Sequence, residues 1–158
     1  MQNFTHNKHI LFFITFIVFS FSIEIGIESF EQQKDGTFLA DVYMINEVPL
    51  AGFQLDLLPK DYFEIISITG GNGEKSGFNM SAGKKGTMLG FSFSGAVIEP
   101  SKSNKISKNI LFTLSLKPLK PINDKTEISF NPIMAGRGGE KVTTTVIPFK
   151  PLMPKNKK

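Results

Sequence analysis

Histidine and cysteine, the side chains that most often perform acid–base, nucleophilic and metal chemistry, are nearly missing from this sequence. The 158 residues include no cysteine, and both histidines, His6 and His9, precede the first apolar run. Disulfides, thiol catalysis and cysteine-ligated metals are therefore excluded. If the segment with the histidines is removed, no Ser-His-Asp triad and no histidine base can form. The composition favours a non-enzymatic protein, and we predict no catalytic residue.

Carboxylates are the remaining candidates for metal binding or glycoside hydrolysis. The aspartates lie apart from one another, at Asp35, Asp41, Asp56, Asp61 and Asp124. The acid spacing of an EF-hand loop is absent, although separate loops of a β fold can still gather calcium ligands. Nothing in the sequence places two carboxylates in one cleft, as a glycosidase requires. We predict no metal ion and no other cofactor.

Four glycines between Gly70 and Gly77 raise the question of a phosphate-binding loop. A P-loop needs Gly-Lys-Ser/Thr at the start of a helix, and a dinucleotide fingerprint also needs a helix after it. The residues that follow, 78–81, read instead as a strand. We interpret the segment as a loop with several positive-φ glycines and predict no nucleotide ligand.

Basic side chains outnumber acidic ones only slightly. Eighteen Lys and Arg against fourteen Asp and Glu give a net charge of +4, and the only arginine is Arg137. Nucleic-acid-binding proteins usually rely on Arg for bidentate contacts, so we predict no nucleic-acid partner. The lysines are scattered, with small groups at 84–85 and 155–158. We interpret them as a solvated surface and, at 151–158, a disordered basic tail.

Residues 10–22 form an uncharged, mostly apolar run that follows Lys8. The run is shorter than the roughly 20 residues of a membrane span and matches the apolar region of a signal peptide. Ser20 and Ser22 provide small residues for cleavage before Ile23. We predict a signal peptide at 1–22 and a secreted or cell-surface protein, with the periplasm as a further location. An uncleaved anchor, which would be the only membrane contact, and a core element are the alternatives.

From residue 23 onward, apolar and polar residues alternate with a period of two, which is typical of β-strands. Turn-forming residues separate the alternating segments, and only 101–108 leaves room for a helical turn. The nine predicted strands are 23–27, 36–46, 51–58, 62–69, 77–82, 87–94, 109–117, 126–130 and 141–149. This spacing predicts an all-β sandwich or jelly roll over residues 23–150, with 62–69 as a central strand.

The alternation also predicts which side chains form the core. We expect six residues to be buried and in contact across two sheets: Phe53, Leu55, Phe91, Phe93, Phe112 and Leu114. On the strand 87–94 this phase directs Leu89, Phe91 and Phe93 inward. The residues expected to point outward on that strand are Met88, Gly90, Ser92 and Ser94.

Five segments, taken in their order and spacing, resemble the cohesin family. They are residues 46–57, 62–68, 89–95, 107–117 and 136–149, and the resemblance extends over 24–149. It implies a nine-stranded jelly-roll β-sandwich without enzymatic activity. It also implies a binding module, because members of this family hold a dockerin domain through one flat sheet face.

A row of small, weakly polar residues is the predicted partner-binding site on such a face. It consists of Gly52, Gln54, Asp56, Gly90, Ser92 and Ser94. Small side chains allow a partner surface to approach closely, and Gln54 and Asp56 offer directional hydrogen bonds. Many cohesins carry more acidic residues on this face, so the expected protein partner is dockerin-like or another protein.

Three functions are consistent with these features. The first is a secreted, non-catalytic cohesin-like module that recognises a protein partner or tethers a complex at the cell surface. The second is a carbohydrate-binding module of the same sandwich class with a polysaccharide ligand, although only Tyr43 and Tyr62 could stack on sugars and Trp is absent. The third is a structural or adhesin subunit that self-associates through sheet faces or edges.

Overall fold

Nine strands make up most of residues 22–152, the part of the chain that the computed structural model describes. The predicted signal segment, apart from Ser22, and the predicted tail, apart from Pro151 and Leu152, lie outside it. The strands are β1 (Ser22–Gln32), β2 (Phe38–Asn46), β3 (Leu50–Leu58), β4 (Phe63–Thr69), β5 (Asn79–Ala82), β6 (Thr87–Phe91), β7 (Ile110–Pro118), β8 (Ser129–Gly136) and β9 (Thr143–Val146). The predicted nine-stranded β-sandwich is confirmed. No helix in this part of the chain is long and apolar enough to cross a membrane.

The strands divide into a five-stranded sheet, in the order β4-β7-β2-β1-β9, and a four-stranded sheet, in the order β5-β6-β3-β8. Neighbouring strands are antiparallel, except that β1 and β9 run parallel. Most connections cross from one sheet to the other. The inner face of each sheet is therefore built from segments that are far apart in sequence.

The core lies between the two sheets and uses the inward residues of each alternating strand. Phe53, Leu55, Phe112 and Leu114 are buried as predicted. The rings of Phe53 on β3 and Phe112 on β7 lie 5.7 Å apart between centroids and join the two sheets. Burying such side chains is the main favourable term for a sandwich of this size.

The predicted phase of β6 is wrong. Phe91 is 43% exposed and Phe93 is 82% exposed, whereas Met88 is fully buried and Gly90 points inward. Directly paired residues lie on the same face of a sheet, and β3–β6 pairing places Gly90 opposite Phe53. A β-carbon on Gly90 would collide with the Phe53 ring, which fills the space that a larger residue would need. Gly90 therefore leaves room for Phe53, and the larger residues of β6 turn outward.

Strand β4 differs from the prediction in its position within the sheet, and strand β8 differs in its bounds. The strand β4 is an edge strand rather than a central one, and a bulge between Ile65 and Ser67 leaves Ile66 exposed. The strand β8 begins at Ser129 and continues through Pro132. Proline is tolerated there because β8 lies at the edge of its sheet.

Within residues 22–152, helical structure is limited to α1 (Gly71–Lys75) and a single 3-10 turn at Ile106–Lys108. The turn falls within the predicted 101–108 segment. The helix α1 lies inside the glycine segment that was interpreted as a loop, and it has only five residues. Gly70, Gly71 and Gly77 do have the predicted positive φ angles.

The outer face of the five-stranded sheet exposes Leu39, and its polar groups hydrogen-bond to one another. The Asp41 carboxylate accepts hydrogen bonds from Ser29 Oγ at 3.0 Å and Thr113 Oγ1 at 2.6 Å. The Tyr43 ring covers Gly26, and its hydroxyl donates to Glu24 Oε1 at 2.9 Å. Burial of the hydroxyl, then this hydrogen bond and the nearby glutamate charges, raises the pKa of Tyr43 to about 12.

We expect Phe53→Ala and Phe91→Ala to differ strongly in stability, although both remove a phenylalanine ring from paired strands. The first should lower the free energy of unfolding by about 3–5 kcal/mol, because it leaves a cavity between the sheets. The second should cost less than about 1 kcal/mol, because the ring is largely in solvent. Urea unfolding followed by circular dichroism measures both. Equal losses would contradict the outward orientation of Phe91.

The raised Tyr43 pKa predicts a loss of stability at high pH. Below pH 10 the stabilisation by the Tyr43 hydroxyl is fully present. Between about pH 10 and 12 the tyrosine loses its proton in the unfolded state but keeps it in the folded state. The free energy of unfolding should then fall by about 1–2 kcal/mol, because the hydroxyl is only partly buried and water screens part of the effect. Urea unfolding at pH 9 and pH 11.5 measures the difference. Tyr43→Phe should show a smaller drop, and an unchanged drop would assign it to other groups.

Candidate functional site

The outer face of the four-stranded sheet carries the candidate site. Residues paired across β5, β6, β3 and β8 form transverse rows on this face. The first row is Asn79, Phe91, Gly52 and Ala135; the second is Ser81, Leu89, Gln54 and Ile133; the third is Thr87, Asp56 and Asn131. We call these rows, with the adjoining Phe93, the outer β3 face.

Large apolar side chains are exposed on the outer β3 face. Leu89 is 41% exposed, Phe91 43% and Ile133 51%, and Phe93 follows at the end of β6. The Phe91 and Phe93 rings meet edge to face, 4.8 Å apart between centroids. Single exposed apolar residues are common on protein surfaces, but a contiguous group of them marks an interaction site.

The outer β3 face is open at one position. Adjacent strands lie about 4.8 Å apart, so the side chains of β6 and β8 stand roughly 10 Å from each other on either side of β3. Gly52 has no side chain to fill the first row, and only Ala135 stands on its far side. Gln54 and Asp56 fill the middle of the next two rows, so the opening is confined to the first row.

The polar groups of the outer β3 face are few. Gln54 lies in the middle of the second row, between Leu89 and Ile133. The only charged residue in the three rows is Asp56, whose carboxylate accepts a hydrogen bond from Thr87 Oγ1 at 2.7 Å. The face can therefore offer apolar contacts around one central amide, with little net charge.

The structure brings together part of the predicted binding row. Gly52, Gln54 and Asp56 do lie on the outer β3 face. Gly90 does not, because it points into the core beneath Phe53. Ser92 and Ser94 lie beyond the end of β6 at the margin of the face, where their hydroxyl oxygens are 2.9 Å apart.

The prediction missed Leu89, Phe91 and Ile133. Leu89 and Phe91 were missed because the sequence of β6 fits either phase of an alternating strand. The signal that could have revealed them is the glycine at position 90, since a small residue in a strand marks close approach of another group. Ile133 was missed because the predicted strand ended at residue 130, whereas β8 continues to Gly136. Only the pairing with β3 reveals that these residues share one face.

The connection between β6 and β7, residues 92–109, is held beside this face by two buried asparagines. Asn46 Nδ2 donates to the carbonyls of Val48, Ile98 and Glu99 at 2.8, 3.4 and 3.2 Å, and its Oδ1 accepts from Ser101 Oγ at 3.0 Å. Asn109 Nδ2 donates to two carbonyls further along, those of Ser103 and Lys105. These bonds give an 18-residue segment without strands a fixed path.

A second concave region, a polar cleft of about 550 Å³, lies between α1 and the same connection. Its lining includes Asn72, Ser76, Glu99, Ser101 and Lys108. In residues 22–152 no three His, Cys, Asp or Glu side chains lie close enough together to hold a metal ion. The cleft therefore has few groups that could direct chemistry, and the outer β3 face is the stronger candidate.

We expect Asn46→Ala to loosen the β6–β7 connection. Three carbonyls would lose their side-chain donor, so the free energy of unfolding should fall by about 2–3 kcal/mol. Amide exchange at Leu50 and Ser101, whose N–H groups bond to this segment or to Asn46, should accelerate. The exposed Asn104→Ala is the matched control and should change neither quantity. Unaltered exchange in Asn46→Ala would show that other contacts hold the connection.

Comparison with solved structures identifies relatives of this architecture. A non-cellulosomal cohesin from the hyperthermophilic archaeon Archaeoglobus fulgidus superposes with a TM-score of 0.50 at 14% sequence identity, over 82% of this chain and 90% of that one. A chain of the CaDoc0917–CaCohA2 complex gives a TM-score of 0.51 at 10% identity, over 81% and 98%. This chain has a cohesin-like fold. The resemblance predicted from the five sequence segments is therefore confirmed for the fold.

A further structure similar to this cohesin-like chain comes from a novel type I cohesin–dockerin complex of Clostridium thermocellum, with 10% identity and a TM-score of 0.49 over 88% and 99% of the two chains. No family model and no curated protein matches the sequence. The similarity thus lies in the arrangement of the strands and not in a shared set of residues.

Proposed function

We propose that this cohesin-like domain is a non-catalytic module that binds a protein partner through the outer β3 face. The observation that carries the proposal is the exposed group Leu89, Phe91, Phe93 and Ile133 on a flat sheet face. Aromatic side chains at the centre of an interface contribute most of its binding energy. Phe91 stands beside the open position at Gly52 and is the proposed anchor.

The comparisons support a protein as the partner. The similar CaDoc0917–CaCohA2 structure is a complex of two proteins. The proposed partner is dockerin-like or another protein. Gln54 and Asp56 set its orientation through hydrogen bonds, and Ser92 and Ser94 contribute at the margin. Because the face carries one charge, its affinity depends little on salt.

Export to the cell surface or the secreted fraction belongs to the same proposal. Its support is the apolar run 10–22 with its preceding lysine and the small residues before Ile23. The exported protein should begin near Ile23, and N-terminal sequencing of material from the secreted fraction tests this. Recovery of intact Met1 in the cytosol would contradict it.

The decisive experiment compares two variants, each with an aspartate introduced on one of the two outer faces of the sandwich. Phe91→Asp should weaken binding of the partner captured from the same cell's secreted fraction by about 30-fold or more, because it removes the anchor and buries a charge in an apolar interface. Leu39→Asp, at a similarly exposed position on β2, is the control and should bind normally. Surface plasmon resonance measures both affinities, and melting temperatures verify that both variants are folded.

Two outcomes would contradict the proposal. Equal affinity of Phe91→Asp and the unmodified protein would place the partner elsewhere on the surface. If the unmodified protein is dimeric by analytical ultracentrifugation and the Phe91→Asp variant is monomeric, the outer β3 face joins two copies of this chain. That result would favour the self-associating subunit over the partner-binding module.

A further inference from the structure

Five lysines that are scattered in sequence lie at one corner of the sandwich. Lys60 belongs to the β3–β4 connection, Lys84 and Lys85 to the β5–β6 turn, Lys117 to the end of β7, and Lys120 to the β7–β8 connection. Antiparallel pairing of β4 with β7 and β5 with β6 brings these connections to the same end of the molecule. We call this group the basic corner.

Direct contacts tie the basic corner together. Lys84 Nζ lies 3.4 Å from Glu64 Oε1, and Glu64 is paired with Lys117 in the β4–β7 register. Lys120 Nζ lies 4.9 Å from the centre of the Tyr62 ring, a cation–π distance. The Leu119 N–H donates to the Tyr62 carbonyl at 2.8 Å and fixes the backbone beside Lys120. The corner therefore holds its ammonium groups around one glutamate and one tyrosine.

Positive charge at the basic corner exceeds the local negative charge. All five lysines are exposed; the acidic residues beside them are Asp56, Asp61 and Glu64, and the β7–β8 connection further along carries Asp124 and Glu127 against Lys125. The described residues contain equal numbers of acidic and basic side chains, so the corner concentrates a charge that the domain as a whole lacks. Like charges held close together are unfavourable, and an anionic ligand would relieve the repulsion.

We propose that the basic corner binds an acidic polysaccharide, a sugar polymer that carries carboxylates along its length. Lysine ammonium groups are compact, strongly hydrated point charges with three donors each, which suits single carboxylates spaced along a chain. The corner contains no arginine, since Arg137 lies at the opposite end and pairs with Glu99 at 3.3 Å. Bidentate phosphate recognition therefore has no residue here, and the Tyr62 ring, which could otherwise stack on a base, is covered by Lys120.

The basic corner lies at the end of the sandwich opposite Ser22, where the described part of the chain begins. There it borders the third row of the outer β3 face, because Lys85 is two residues from Thr87, but it lies at the other end of β3 from Gly52 and the proposed anchor Phe91. Leu119 is the one large apolar side chain exposed beside the five lysines, which is too little to insert into lipid. A ligand at the corner therefore leaves Phe91 accessible to the protein partner proposed above.

The test uses the purified protein with polygalacturonate, measured by isothermal titration calorimetry at 20 and 300 mM NaCl. We expect binding at low salt that weakens at least about tenfold at high salt, because exposed charges are screened. The combined variant Lys60→Gln, Lys85→Gln and Lys117→Gln should bind about tenfold more weakly at low salt. These lysines form no ion pair within the described residues, so the melting temperature should stay the same.

The matched control removes three charges from the opposite end of the domain, as Lys102→Gln, Lys105→Gln and Lys108→Gln, and should bind polygalacturonate with less than about a twofold loss. An equal loss in both variants would show attraction by net charge alone and overturn the proposal. Absence of binding by the unmodified protein would also overturn it. Equally tight binding of duplex DNA or phosphatidylserine vesicles, lost in the corner variant, would assign the corner to another class of anion.

Discussion

The packing of Phe53 against Gly90 determines which side chains of β6 face the solvent. The ring of Phe53 occupies the volume inward of β6, where any β-carbon on Gly90 would collide with it. Side chains alternate across a strand, so an inward Gly90 obliges Leu89 and Phe91 to point outward. This contact in the core thus determines which side chains of β6 lie on the outer β3 face. A shift of β6 by one residue in its pairing with β3 would bury Leu89 and Phe91.

The two outer faces of the sandwich differ in the side chains that they expose to solvent. On the five-stranded sheet, Asp41 joins two hydroxyl side chains, and Tyr43 lies flat over Gly26. Leu39 is exposed beside these groups, whereas the four-stranded sheet exposes a group of aromatic and aliphatic side chains, which costs free energy unless another surface covers them. This asymmetry is why a partner is proposed for one face only. It also explains why equivalent substitutions on the two faces should differ in binding.

Connections that cross between the sheets assemble surfaces from distant parts of the chain. The β6–β7 connection follows its path because Asn46 and Asn109 supply donors to carbonyls that no strand pairs. The basic corner is also assembled by connections, since the β3–β4 and β7–β8 crossings and the β5–β6 hairpin turn bring lysines to one end of β4 and β7.

The sequence by itself determined the strand-forming segments, the class of fold and much of the core, because period-two alternation and turn residues act locally. It also predicted that Gly52, Gln54 and Asp56 share an outward face, since Phe53 and Leu55 between them are apolar. It could not determine the phase of β6, where Met88 and Leu89 are both apolar and Gly90 fits either side. Only pairing with β3 and the volume of the Phe53 ring decided that phase. Tertiary structure likewise decided that β4 lies at an edge and that five separate lysines meet, because strand order depends on contacts between residues far apart in the chain.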